Sequence, residues 1–135
     1  MKLEDIENTL PHGFHDALLL KVMIDYTKRE AIFSFSICTG DVLSEDKEKR
    51  ETRREGQLKL RDLVFCVIQA PDPKYPYLGS KHLMVDSGSA SSVNLPEVSQ
   101  LSTLIPDGAF FHWFFVSQWN SFIYVAAMDA QFDWI

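Results

Sequence analysis

Asp16-Ala17-Leu18-Leu19-Leu20-Lys21-Val22-Met23-Ile24-Asp25-Tyr26 is answered a few residues later by Ala31-Ile32-Phe33-Ser34-Phe35-Ser36-Ile37. In the first run the even positions are Leu18, Leu20, Val22, Ile24 and Tyr26, while the odd ones mix in Lys21 and Asp25. In the second run Ala31, Phe33, Phe35 and Ile37 share one parity, and Ser34 and Ser36 take the other. Successive side chains of a strand point to opposite faces, so each run reads as a strand with one buried side. The polar link Asp25-Tyr26-Thr27-Lys28-Arg29 is short enough to join the two as a hairpin. This parity predicts that Leu20, Val22, Phe33 and Phe35 lie together on the core face.

Upstream, Leu3, Ile6 and Leu10 are spaced for one face of a short helix that Pro11 ends, and Gly13 permits a turn into the first strand. Downstream, residues 45–55 are charged at every position except Thr52, the pattern of a solvated loop or an exposed hairpin end. Leu58 and Leu60 resume the alternation. The phase slips at Arg61-Asp62, and Leu63, Phe65 and Val67 continue on the opposite parity, which suggests a β-bulge or a strand buried on both faces. Three prolines between Pro71 and Pro76 exclude a central strand there.

A short strand is expected around His82–Asp86, followed by a Ser/Gly-rich loop over 87–92. Asn94 with Glu97 resembles a capping box, and Val98, Leu101 and Ile105 supply an apolar face, so a helix is expected over 95–105. The last block, Phe110 to Val116 and Phe122 to Met128 around Ser117-Gln118-Trp119-Asn120-Ser121, reads as a second hairpin that is apolar on both faces. Its second face calls for cover by that helix, a ligand or another subunit, which makes a homodimer through this hairpin an expectation. The fold class is therefore mainly β: one domain, an antiparallel β-sandwich or open barrel with two short helices.

The chain of 135 residues is long enough for one core without staples. Its net charge is −6; residues 1–70 carry 11 Lys/Arg against 13 Asp/Glu, and residues 71–135 carry 2 against 6. That balance disfavours nucleic acid and suits a basic protein partner. No run approaches the ~18 apolar residues of a membrane span. The start Met1-Lys2-Leu3-Glu4-Asp5 lacks a secretory pattern, so a cytoplasmic setting is expected, with Cys38 and Cys66 as free thiols.

His12, His15 and Asp16 bring two imidazoles and a carboxylate within five residues, the donor types of a zinc-like site. The same residues also suit a structural part at the helix-to-strand junction, with Asp16 capping backbone N–H groups. His82 with Asp86, and His112 with Asp129, are possible proton-carrying pairs. Tyr75, Tyr77, Trp113, Trp119, Tyr124 and Trp134 could line a ligand cavity or an interface. No Gly-x-Ser-x-Gly elbow and no Gly-rich phosphate loop is present, so no cofactor is expected and a non-enzymatic module is favoured. The alternative is a small-ligand or metal-dependent enzyme centred on His12, His15 and Asp16.

Gly13-Phe14-His15-Asp16-Ala17, the hairpin with Ile24-Asp25-Tyr26, Pro71-Asp72-Pro73 and Trp119-Asn120-Ser121-Phe122 resemble a bacterial family of small uncharacterised β-rich proteins. Immunity proteins that neutralise secreted toxins are similar in placing a His-Asp motif at the start of their first strand. The resemblance implies a cytoplasmic bacterial protein of unknown role, it carries over no catalytic residue, and the analogy with immunity proteins is at the level of the fold.

Overall fold

A computed structural model describes residues 1–41, 43–75 and 82–135. In chain order the elements are α1 (Leu3–Thr9), β1 (Pro11–Phe14), β2 (Ala17–Asp25), β3 (Glu30–Cys38), α2 (Lys47–Arg50) and β4 (Arg53–Ile68). They continue with β5 (Met84–Ser89), α3 (Pro96–Ser102), β6 (Phe110–Val116) and β7 (Ser121–Trp134). The mainly β, antiparallel class holds, and one sheet closes on itself as a barrel in the order β2-β3-β4-β7-β6-β5. The closing seam is brief: Ala17 pairs with Val85, Leu18 with Met84, and the Leu19 N–H donates to the Leu83 carbonyl at 2.8 Å.

The hairpin of β2 and β3 forms as its alternation predicts, with one correction. Ala31, Phe33, Phe35 and Ile37 point inward and are fully buried. Opposite them the register shifts between Leu19 and Lys21, so Leu20 is the extra residue of a bulge. Before it the odd residues Ala17 and Leu19 are buried; after it Val22 and Ile24 pack against the core. Leu20 itself is 51% exposed, and it does not join Val22, Phe33 and Phe35 as its parity suggested. An inserted residue reverses the facing of everything beyond it, which strict alternation cannot reveal in a run of leucines.

A second irregularity falls in β4, where the sequence phase slips. Asp62 takes a left-handed backbone (φ 49°), and the pairing with β7 shifts between Leu63 and Phe65. Leu63 and Cys66 then pack on the barrel core, whereas Phe65 turns to the outer side. The expected common parity of Leu63, Phe65 and Val67 is thus broken by the bulge. Beyond the seam, β5 runs to Ser89, so part of the anticipated 87–92 loop is strand.

α1 plugs one end of the barrel, burying Leu3, Ile6 and Leu10 against Phe14 and its neighbours. α3 is shorter than 95–105, and its N-cap is Leu95 with Pro96 at the first helical position, not an Asn94 capping box. Pro suits that position because its missing N–H would have no helical partner. α3 and the 3-10 turn Ala90–Ser92 cover the outer face of β6 and β7, where Phe111, Trp113, Phe122 and Tyr124 join Val98 and Leu101 in a second small core. The apolar second face of this hairpin therefore finds most of its cover within the chain.

Two outcomes follow. Phe35 stacks among Phe14, Phe33 and Phe114, with ring centroids 5.0 to 6.1 Å apart. Its truncation to Ala should cost about 3–5 kcal/mol, while Leu20→Ser should stay within about 0.5 kcal/mol; urea unfolding of the two variants checks the facing on either side of the bulge. Cys38 and Cys66 are both free thiols, and burial pushes the Cys66 thiol up to about 11. Alkylation of the native protein at mildly alkaline pH should therefore label Cys66 on the order of a hundredfold more slowly than in the unfolded chain.

Candidate functional site

The residues singled out around the first strand are placed by a tight turn. Gly13 (φ 56°) and Asp16 (φ 57°) both take left-handed backbone, which turns β1 directly into β2. His12 leaves this turn on the inner side, and its Nε2 donates to the Gly40 carbonyl at 2.7 Å. His15 points outward and lies between two carboxylates, Asp86 (Nδ1 to Oδ1, 3.3 Å) and Asp16 (Nε2 to Oδ2, 3.4 Å). His12, His15 and Asp16 are thus divided by the turn; among the described residues no three His, Cys, Asp or Glu side chains group to hold a metal ion. Asp16 meets the His15 ring where a backbone cap was expected, and it is the Arg53 guanidinium, donating to the Asp16 carbonyl at 3.0 Å, that ties the turn to β4.

The expected pairs are also redistributed. Asp86 pairs with His15, and His82 is exposed. Asp129 meets the N-terminal ammonium of Met1 and, at 4.0 Å, Arg61; the N-terminal ammonium holds its carboxyl below the usual range. His112 belongs to a different group. Its side chain points into the barrel, nearly sealed from solvent, and its Nε2 lies 2.9 Å from Glu7 Oε1. The Ser87 hydroxyl donates to the same carboxylate oxygen. Burial pushes the Glu7 carboxyl up, but the His112 ring and the Ser87 hydroxyl outweigh it, and the net displacement is downward.

Glu7 was passed over, although its burial was legible: it lies four residues after Leu3 and three before Leu10, on the apolar stripe of α1, where a carboxylate needs a buried partner. The partner was not, because 105 residues separate Glu7 from His112. The pair fastens the plug to the barrel wall.

On the outer surface a second constellation lies across β5, β6 and β7. Asp86 pairs in register with Phe115, and Phe115 with Phe122, so the three form one row; Gly88, Trp113 and Tyr124 form the next. The Trp113 indole packs against Gly88, where a Cβ would sit 2.6 Å from its Cζ2. Its N–H donates to the Ser89 carbonyl (3.0 Å) and the Ser92 hydroxyl (3.1 Å). The rows frame a cleft of about 180 Å³ lined by Asp86, Val93, Trp113, Phe115 and Phe122. Of the other aromatics expected at a site, Trp119 sits half-buried in the turn before β7 and lines a separate apolar cleft with Leu19, Val22 and Ile123. Tyr75 is half-exposed on a loop, Trp134 carries the Arg54 guanidinium 4.9 Å above its ring, and Tyr77 lies outside the described residues. Phe115 and Phe122 were passed over because aromatic strand residues ordinarily fill a core.

No family model and no curated protein matches the chain. Among solved structures, an uncharacterized protein from Neisseria gonorrhoeae aligns with a TM-score of 0.47 over 88% of this chain and 91% of that one, at 10% identity. Among the described residues no helix is long and apolar enough to cross a membrane.

The Glu7–His112 pair has a measurable pH signature. A carboxyl whose folded pKa is depressed adds stability above its unfolded pKa and loses it as pH falls through the folded value. The stability gap between the parent and Glu7→Gln should therefore be widest at neutral pH and shrink on acidification below the carboxylate range, as read by denaturant unfolding over a pH series. A gap constant with pH would contradict the assignment.

Proposed function

We propose that this protein is a non-enzymatic interaction module that captures a basic protein partner on the side built by β5, α3, β6 and β7. One observation carries the reading: residues 82–135, which supply that entire side, contain no Lys or Arg and five carboxylates. Asp129 is neutralised by the N-terminus and Arg61, but Glu97 and Asp107 are exposed on the α3 side, and Asp86 keeps half of its side chain in solvent. Lys47, Lys49, Arg50, Arg53 and Arg54 lie instead on α2 and β4, where they alternate with Glu48, Glu51 and Glu55. An unbalanced field of one sign steers an oppositely charged partner toward one side of a small protein and excludes phosphate backbones. Neutralisation of a basic toxin, the role of immunity proteins to which the chain is compared at the level of the fold, is one form of such capture.

Capture from lysate of the source cell on two immobilised baits, the parent and Glu97→Lys/Asp107→Lys, tests the reading. Basic proteins should be retained by the parent, released by added salt and lost from the variant. Equal retention on both baits, or a retained partner of acidic composition, would overturn it.

A further inference from the structure

We infer that the cleft between Asp86, Val93, Trp113, Phe115 and Phe122 is a receptor for one arginine side chain of a basic partner, an inference that rests on the acidic docking side proposed above. Three aromatic rings and Val93 give this shallow cavity of about 180 Å³ an almost wholly apolar lining, with Asp86 at its edge. The rings are set before any ligand arrives. Trp113 is fixed by its two indole hydrogen bonds and by its contact with Gly88. Phe122 meets Trp113 edge-on (5.8 Å, 81°) and stacks on Tyr124 (5.5 Å, 7°), while Phe115 leans on Phe122 at 4.9 Å. Asp86 stands at the head of the Phe115–Phe122 row; its Oδ1 accepts from the Ser87 N–H and faces the His15 ring, and half of its side chain stays in solvent.

Aromatic faces carry negative potential and attract a cation laid over them, and a carboxylate beside the rings adds a directional partner. A guanidinium suits this geometry better than an ammonium. It is flat, weakly hydrated and able to stack on a ring while its edge N–H groups reach the carboxylate. The chain makes the stacking half of this contact itself, with Arg54 over Trp134. Residues 82–135 have no cationic Lys or Arg of their own to fill the cleft.

The test is a titration of isotope-labelled protein with the capped tripeptide Gly-Arg-Gly and its Lys and citrulline counterparts, following the Trp113 indole N–H resonance. The arginine peptide should give a saturable shift with a dissociation constant of about 1 mM, the range of one anchored side chain. The neutral citrulline isostere should bind at least about tenfold more weakly. Asp86→Asn and Phe115→Leu should each weaken the arginine peptide by about fivefold, with the rest of the spectrum unchanged. Citrulline or lysine peptides binding as tightly as arginine, or Asp86→Asn leaving the affinity intact, would overturn the assignment. Capture of a basic partner that survives Asp86→Asn and Phe115→Leu but is lost from Glu97→Lys/Asp107→Lys would refute the cleft and leave the acidic side standing. Capture unaffected by either set would refute both.

Discussion

Everything in this molecule depends on β2 meeting β5. Two residue pairs and one additional amide hydrogen bond turn a curved six-stranded sheet into a barrel with a single interior. A closed sheet has no free edge at its seam, and it holds its strands at a tilt that places alternate residues inside. To reach β5 with Ala17 and Leu19 facing inward and still bury Val22 and Ile24 farther along, β2 needs one residue more than its partner. Leu20 is that residue. The bulge in β4 does the corresponding work on the other side, where Asp62 takes the left-handed backbone and Cys66 enters the core. Bulges increase local twist, which is what closing a small barrel demands.

Closure divides the molecule into environments with different chemistry. The interior is aromatic and aliphatic, and its one buried imidazole, His112, is tolerated because Glu7 on the plugging helix and Ser87 on β5 complete its surroundings. Outside, β6 and β7 remain apolar on their second face, and α3 with the turn before it covers most of that surface. What the helix leaves uncovered is the aromatic cleft beside Asp86. Asp86 points outward one position before Ser87 points inward, so adjacent residues of one strand serve the surface cleft and the buried pair. The two groups are coupled by the pleat of β5.

The elements whose pattern repeats locally were legible in the sequence. The Leu3, Ile6, Leu10 stripe and Pro11 gave the bounds of α1 within a residue, and Phe33, Phe35 and Ile37 gave the core face of β3. The break at Asp62 was visible as a phase slip. The one at Leu20 was not, because Leu18, Leu19 and Leu20 are equally apolar and any of them fits either face. Pairings set by closure were also out of reach: Asp86 with His15, and His112 with Glu7, join residues 71 and 105 positions apart. The His12, His15 and Asp16 run looked like a ligand set because it is dense in sequence, yet across the left-handed turn His12 goes to the Gly40 carbonyl while His15 lies between Asp16 and Asp86. Density along the chain is not convergence in space.

Amide hydrogen exchange at the seam addresses closure most directly, since it reads the opening free energy of individual hydrogen bonds. In a closed barrel the Leu19 N–H, held by the Leu83 carbonyl, exchanges within about tenfold of the amides of Phe33 and Phe35 in the central strand β3. An open sheet with β2 as a frayed edge would instead show Leu19 exchanging on the order of a thousandfold faster than those amides. The first result is the one this fold requires, and the second would contradict it.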